Sequence, residues 1–294
     1  MIEDLSDGVA VITGGAGGIG RALGERFARE GMKVVLADVE PDALSASVKA
    51  LRADGLEVTG VACDVADYGS VEHLRDETLE RYGAVHLLCN NAGIGAGAEG
   101  ALWQHELNDW RWAFDVNVYG IIHGINAFVP VMHASGTAGH VVNTSSGNGG
   151  VSPLRGTPQY AVTKAAVVTL TECLYAQLQD AGSAIGASVL FPGPNMLRTG
   201  IFSSWRVRPA ALAKERPRES PYPTIEDIEA QMTAAGIEVN YTEPAEVADQ
   251  VVRAVRAGDF WIMAPSDSID GQIRARAASM LDRTNPTYLR EVPG

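Results

Sequence analysis

Val9-Ala10-Val11-Ile12-Thr13-Gly14-Gly15-Ala16-Gly17-Gly18-Ile19-Gly20 is an apolar strand running into a glycine-rich turn, and Arg21-Ala22-Leu23-Gly24-Glu25-Arg26-Phe27-Ala28 continues it as a helix. Strand, bare turn and helix N-terminus together make a cradle for a pyrophosphate. Glycines admit close backbone approach, and the first helical N–H groups are unpaired and lie at the positive end of the helix dipole. Lys33-Val34-Val35-Leu36-Ala37-Asp38 reads as a second strand ending in a carboxylate, 18 residues past Gly20. An acid there accepts hydrogen bonds from the hydroxyls of an adenosine ribose. The competing role for Asp38 is to cap a helix starting near Pro41.

Outward from this unit, strands and helices alternate. Strands are expected at Val9–Thr13, Lys33–Asp38, Val58–Asp64, His86–Asn90, His140–Ser145, Ala187–Phe191 and Phe260–Ala264. Helices are expected at Asp42–Ala53, Tyr68–Tyr82, Asn108–Ala134, Gln159–Ala181 and Pro244–Ala257. Such alternation predicts an α/β, doubly wound Rossmann fold: a seven-stranded parallel sheet with helices on both faces, in one domain over residues 1–294. Between Pro192 and Glu243 the alternation stops, and a proline-containing stretch holds one short helix, Ile225–Ala235. A long irregular segment inside a compact domain reads as a functional lid or a disordered insert, and 194–240 is expected to be the lid. Ile225, Ile228 and Met232 form an apolar stripe that could close over a site, the alternative being a permanently packed subdomain. Residues 266–294 read as a tail with a helix over Ile269–Leu281.

A net charge of −13 argues against nucleic acid and anionic membrane surfaces as partners. Cys63, Cys89 and Cys173 are widely spaced, as expected of small buried side chains in a reducing cytoplasm. The six histidines show no ligand spacing, so no metal is expected. The N-terminus lacks the basic and apolar regions of a signal peptide. The apolar stretch Ile121–Met132 is interrupted by His123 and Asn126 and cannot span a bilayer.

The chemistry is concentrated in Val141-Val142-Asn143-Thr144-Ser145-Ser146 followed by Tyr160-Ala161-Val162-Thr163-Lys164. A tyrosine four residues before a lysine on a helix shares a face with it. An ammonium beside a phenol is expected to lower the phenol pKa from about 10 toward neutrality, which suits proton transfer.

Taken together, these motifs make the chain resemble the short-chain dehydrogenase/reductase superfamily over roughly residues 5 to 265. Thr13-Gly14-x-x-x-Gly18-Ile19-Gly20 matches the cofactor turn, Asp64-Val65 the adenine contact, Asn90-Asn91-Ala92-Gly93 the fourth-strand motif, and Pro192-Gly193 the motif after the sixth strand. The turn also fits Thr-Gly-x-x-Gly-x-x-Gly of a longer-subunit branch; the Asn-Asn-Ala-Gly motif and the modest length favour the shorter one. The resemblance implies a catalytic set of Asn117, Ser146, Tyr160 and Lys164. Tyr160 would be the acid/base and Lys164 would also bond the nicotinamide ribose. Ser146 would hold the substrate oxygen, and Asn117 would hold a water of a proton relay. Ser145 is the alternative to Ser146, which strand alternation favours.

Two departures stand out. Ser146 and Tyr160 are 14 residues apart, one more than is common in the family. Thr199 lies six residues past Gly193, two beyond the usual position of a carboxamide contact. Asp38, followed by Val39, and Gly15 in the turn imply NAD over NADP, because a 2′-phosphate would meet a carboxylate and no arginine. The expected reaction is interconversion of a secondary alcohol and a ketone. Epimerase or dehydratase chemistry, and a silent NAD-binding regulator, are the alternatives.

Trp103, Leu154, Phe202, Trp205 and Tyr222 suggest an apolar or aromatic substrate, with Trp205 as a direct contact. Trp110 and Trp112 on the long helix read as core or interface residues. The basic residues Arg206, Arg208, Lys214, Arg216 and Arg218 read as a solvated face. Phe128, Val131, Val167, Leu170, Leu174 and Leu178 look like surplus apolar surface on two long helices. With the resemblance, that surplus implies a homotetramer, with a dimer as second choice.

Overall fold

The computed structural model describes residues 2, 4–95, 97, 99–218, 221, 224–234, 236 and 238–289. Seven strands, β1 (Val9–Thr13), β2 (Lys33–Asp38), β3 (Val58–Ala62), β4 (Leu87–Asn90), β5 (Gly139–Thr144), β6 (Ile185–Phe191) and β7 (Trp261–Met263), form one sheet in the order β3-β2-β1-β4-β5-β6-β7. Every neighbouring pair is parallel. The strand order reverses between β1 and β4, which places a crevice beyond their carboxyl ends.

Period-two alternation sorts the strand side chains between two cores. Ala10, Ile12, Val34 and Leu36 pack with α1 (Gly18–Arg29), α2 (Pro41–Ala53) and α8 (Pro244–Ala257). Val11, Val35 and Ala37 point to the other face, against α3 (Tyr68–Tyr82), α5 (Gly120–Ser135) and α6 (Pro158–Asp180). Local signals set the helix ends: Pro41 and Pro244 open α2 and α8, Asp67 caps α3 by accepting the Gly69 amide, and Gly83 and Gly258 close α3 and α8 in the left-handed conformation.

β4 to β7 shift by one or two residues at one or both ends, and further differences lie elsewhere. β3 ends at Ala62, two residues early, because the Asp64 amide donates to Ser70 Oγ and its carboxylate accepts from Ala66 N, taking it off the ladder. The helix expected over Asn108–Ala134 is α4 (Leu107–Phe114), a π-helical turn at Asp115–Tyr119, and α5. Such single wide turns cluster at functional sites, and this one carries Asn117 into the interior. The surplus of apolar residues on α5 and α6 is also smaller than it looks in sequence, since Phe128, Val167, Leu174 and Leu178 are buried in the subunit's own core.

The lid segment folds as 3-10 turns at Gly200–Val207 and Ala210–Leu212 and a helix α7 (Ile225–Ala234); Tyr222 lies outside the described residues. Ile225, Ile228 and Met232 are half-buried. The tail forms α9 (Asp267–Asp282), whose Arg276 donates to the Val151 carbonyl at 2.7 Å. Among the described residues no helix is long and apolar enough to cross a membrane, and no group of three or more His, Cys, Asp or Glu gathers as a metal site.

Candidate active site

The glycine turn is shaped by contacts that exclude side chains. A Cβ on Gly20 would lie 2.1 Å from the Gly14 carbonyl oxygen, and one on Gly14, at φ +67°, would lie 2.9 Å from Ala92 Cα. α1 begins at Gly18 with no capping side chain and no acid in its first turn, and the space around Gly17 is open. Open N–H groups at a bare helix start fit a pyrophosphate. Asp38 closes the turn from the side: Oδ2 accepts the Ala16 amide at 2.9 Å and Oδ1 accepts the Glu40 amide at 3.0 Å. It does not cap α2, whose N-cap is Glu40.

Opposite the turn, Thr13 organises the fourth-strand motif. Its Oγ1 accepts the amides of Asn91 and Ala92 at 3.0 and 3.1 Å, while Asn91 Nδ2 donates to the Thr13 carbonyl at 3.0 Å. Thr13 was read as part of the turn; its bridging role was not visible, because its partners lie more than seventy residues away. Asn90 Nδ2 donates to Asn143 Oδ1, and Asn143 Nδ2 to Thr171 Oγ1, locking β4, β5 and α6 together. Asp64 is exposed at the crevice edge, and the Val65 carbonyl bonds His123 Nδ1. Thr199 lies against the turn itself, 3.3 Å from where a Cβ on Gly18 would stand.

Ser146, Tyr160 and Lys164 come together beyond the carboxyl end of β5. Ser146 faces the Tyr160 phenol, and its Oγ accepts the Asn148 amide at 3.1 Å. Ser145 is turned inward, donating to the Lys164 carbonyl at 2.7 Å. The longer interval between Ser146 and Tyr160 is taken up by a wide turn at Gly147–Val151. There Gly149 adopts φ +99°, and a Cβ would sit 2.0 Å from the Ala161 carbonyl oxygen.

Lys164 is buried, its Nζ donating to the Thr144 carbonyl at 2.9 Å and lying 5.6 Å from the Tyr160 ring centroid. Burial pushes the Lys164 pKa down to about 8. The Tyr160 phenol does not behave as the sequence suggests: burial raises its pKa, and the Ser146 hydroxyl opposes this. The ammonium is committed to Thr144, and desolvation of the phenol outweighs the help it receives. A Cβ on Gly93 would lie 3.3 Å from Lys164 Nζ and 3.4 Å from Asn117 Oδ1, so a side chain there would press on both.

Asn117 is fully buried, its Oδ1 accepting the Ile94 amide at 2.8 Å and its Nδ2 donating to the Ile94 carbonyl and to Thr163 Oγ1. Its side chain thus fixes the loop after β4. Pro192 and Gly193 follow β6 at the same edge of the sheet.

Of the basic lid residues Arg206 and Arg216 are exposed, but Arg208, Lys214 and Arg218 are not a solvated face. Arg208 and Lys214 both meet Asp109 at 2.6 Å; the Asp109 side chain is 1% exposed and that of Arg208 7%. Arg208 also lies over the buried Trp112 ring. Glu106, likewise buried, accepts the amides of Glu215 and Arg216. Arg206 pairs with Glu40 and Arg218 with Glu99. The acids that hold the lid were missed because each stands about 100 residues or more from its partner; one acid at a helix N-cap and one in its first turn look like ordinary dipole partners. Trp103 and Trp205 are 85% and 50% exposed, and Trp110 packs against Phe114.

A sequence profile described as short chain dehydrogenase matches residues 8–208. A 1-deoxy-11-beta-hydroxypentalenate dehydrogenase of Streptomyces avermitilis is 38% identical over 189 residues, which cover 64% of this chain and 69% of that protein. A C alpha-dehydrogenase of Sphingobium sp. is 30% identical over 97% of this chain and 89% of its own length. Among solved structures, a short chain dehydrogenase/reductase from Burkholderia phymatum in complex with NAD superposes with a TM-score of 0.87 at 39% identity, covering 98% of this chain and 99% of that one.

Proposed function

Because the chain belongs to the short-chain dehydrogenase/reductase family, an oxidoreductase family, we propose that it interconverts a secondary alcohol and a ketone with NAD as hydride carrier. The observation that carries this reading is the convergence of Ser146, Tyr160 and Lys164 beside Gly93 at the edge of a glycine cradle.

The residues present fit a dinucleotide. Gly14, Gly18, Ile19 and Gly20 would hold the pyrophosphate at the start of α1, and Asp38 the adenosine ribose. Asp64 and Val65 would border the adenine, with Asn91, Ala92, Gly93, Pro192 and Gly193 lining the nicotinamide half and Lys164 bonding its ribose. Bound there, the nicotinamide supplies or accepts the hydride. Ser146 orients the substrate oxygen and stabilises charge developing on it, while Tyr160 takes or gives the proton at its phenolic oxygen. Asn117 holds the Ile94 loop against this group and links it to the proton relay. NAD is favoured over NADP by the Asp38 carboxylate, which would repel a 2′-phosphate.

The half-exposed Trp205 and the apolar lid residues support an apolar or aromatic substrate. Assembly into a tetramer or dimer is supported by a shallow groove of about 600 Å³ between α5 and α6, lined by Ile122, Ile125, Leu170 and Cys173. Reduction of NAD measured across a panel of aliphatic and aryl secondary alcohols tests the reaction. Binding of NAD without turnover of any alcohol or ketone would overturn it in favour of a silent binding protein.

A further inference from the structure

Glu40 stands two residues beyond Asp38, whose carboxylate accepts its amide. Its own carboxylate is gripped by Arg206 of the lid in a two-pronged pair, Nε to Oε1 at 3.0 Å and Nη2 to Oε2 at 2.5 Å. The third guanidinium nitrogen, Nη1, donates to the carbonyls of Gly200 and Ser203 at 3.0 and 2.9 Å and to the Ser203 hydroxyl at 3.1 Å. All three nitrogens are therefore engaged.

Arg206 arrives from the far side of the sheet. The lid leaves β6, four strands from β2, and passes over the crevice mouth. On the way Thr199 touches Gly18, and Ser204 Oγ accepts the Gly95 amide at 3.1 Å. The fold thus sets a guanidinium on Glu40, two residues from the carboxylate expected to read the adenosine ribose, although the sequence around Asp38 holds no basic residue. An arginine in such a position is the usual partner of a phosphate, because its planar fork matches phosphate oxygens two at a time.

We propose that Glu40 is a second determinant of cofactor choice, occupying Arg206 so that its guanidinium is not offered to a 2′-phosphate. The inference rests on the reading of the crevice as a nicotinamide-dinucleotide site. Discrimination then has two parts: Asp38 repels the phosphate, and Glu40 withholds the cation that would otherwise attract it. Arg206 at the same time ties the lid to the end of β2. Its pairing with Glu40 therefore sets the charge seen by the ribose.

Two probes test this without turnover or a known substrate: adenosine 2′,5′-bisphosphate and 5′-AMP, titrated by calorimetry into the wild type, Glu40→Ala, Glu40→Gln, Arg206→Met and the double variant Glu40→Ala/Arg206→Met. Glu40→Ala is expected to shift the affinity ratio toward the bisphosphate by about tenfold, with the gain lost in the double variant. Glu40→Gln, close to isosteric, gives the same direction of shift if Glu40→Ala lowers the Tm too far. An unchanged ratio in both Glu40 variants, with the wild type still preferring 5′-AMP, overturns the role of Glu40 alone. A gain of equal size in the double variant overturns the part given to Arg206. A wild type that binds the bisphosphate as tightly as 5′-AMP, or binds neither, overturns the NAD reading itself and the inference with it.

Discussion

The Ser145 hydroxyl donates to the Lys164 carbonyl at 2.7 Å, so the first of two adjacent serines is spent on holding α6 and the second faces Tyr160. The two should separate cleanly under mutation. Ser145→Ala should cost about 1–2 kcal/mol of stability, with a modest effect on turnover. Ser146→Ala should cost on the order of 100-fold in kcat with little change in Tm. Urea unfolding and steady-state kinetics on both variants check this, and equal kinetic losses would reverse the assignment.

Tyr160→Phe should keep the fold and the affinity for NAD while losing turnover on the order of 10²- to 10⁴-fold. The direction of its pKa shift adds a pH signature. With the phenol raised by burial, the base form is scarce at neutral pH, so alcohol oxidation should quicken as pH climbs from about 6 to about 9. Ketone reduction, which needs the protonated phenol, should stay level over the same range and fall only above it. Oxidation independent of pH throughout would exclude Tyr160 as the base.

Asp109 neutralises two cations in a nearly dry setting. Asp109→Ala leaves Arg208 and Lys214 without their counter-charge and should destabilise the protein by about 3–5 kcal/mol. Limited proteolysis should then cut the chain between 206 and 218, where the wild type resists. Hydrogen exchange of the wild type should be slow over 208–216 and faster over α7, whose residues are at most half-buried. Uniformly fast exchange would mean that the ion pairs do not hold the lid in solution.

His140 is fully buried in β5, with Nε2 bonded to Ser188 Oγ and Nδ1 without a partner among the described residues. Burial lowers its pKa from 6.5 to about 4, so between these values the unfolded chain binds the proton and the native one does not. Its contribution is intact above about pH 6.5 and is lost as pH falls toward 4, about 3 kcal/mol in all. Denaturation across pH 4 to 7 should show this slope, flattened in His140→Gln. An unchanged slope in the variant would assign the acid sensitivity elsewhere.

Sequence carried the strands and most of the crevice because both are written locally. β1 and β2 occupy the residues expected of them, and the glycine turn, Asp38 and the Tyr160–Lys164 pair are fixed by spacing within a single element. What stayed hidden depends on partners distant in the chain. Burial of the Tyr160 phenol, a product of packing and not of spacing, raises its pKa against the direction expected. The π-helical turn at Asn117 coincides with that side chain's bonds to Ile94, a partner 23 residues away. The solvated reading failed for Arg208 and Lys214 for the same reason: charge pattern alone does not say which acids a loop will meet.

The knot around Asp109 and Glu106 bears on how substrate preference can be re-engineered. Exchanging residues 194–240 for the corresponding stretch of a relative looks like a clean loop graft, since its two ends meet at the Met196–Tyr241 bridge. Here the loop and the first turn of α4 form one unit of exchange. A graft that omits Arg208 and Lys214 strands a buried carboxylate, whereas moving α4 together with its lid carries acid and base across as a matched set.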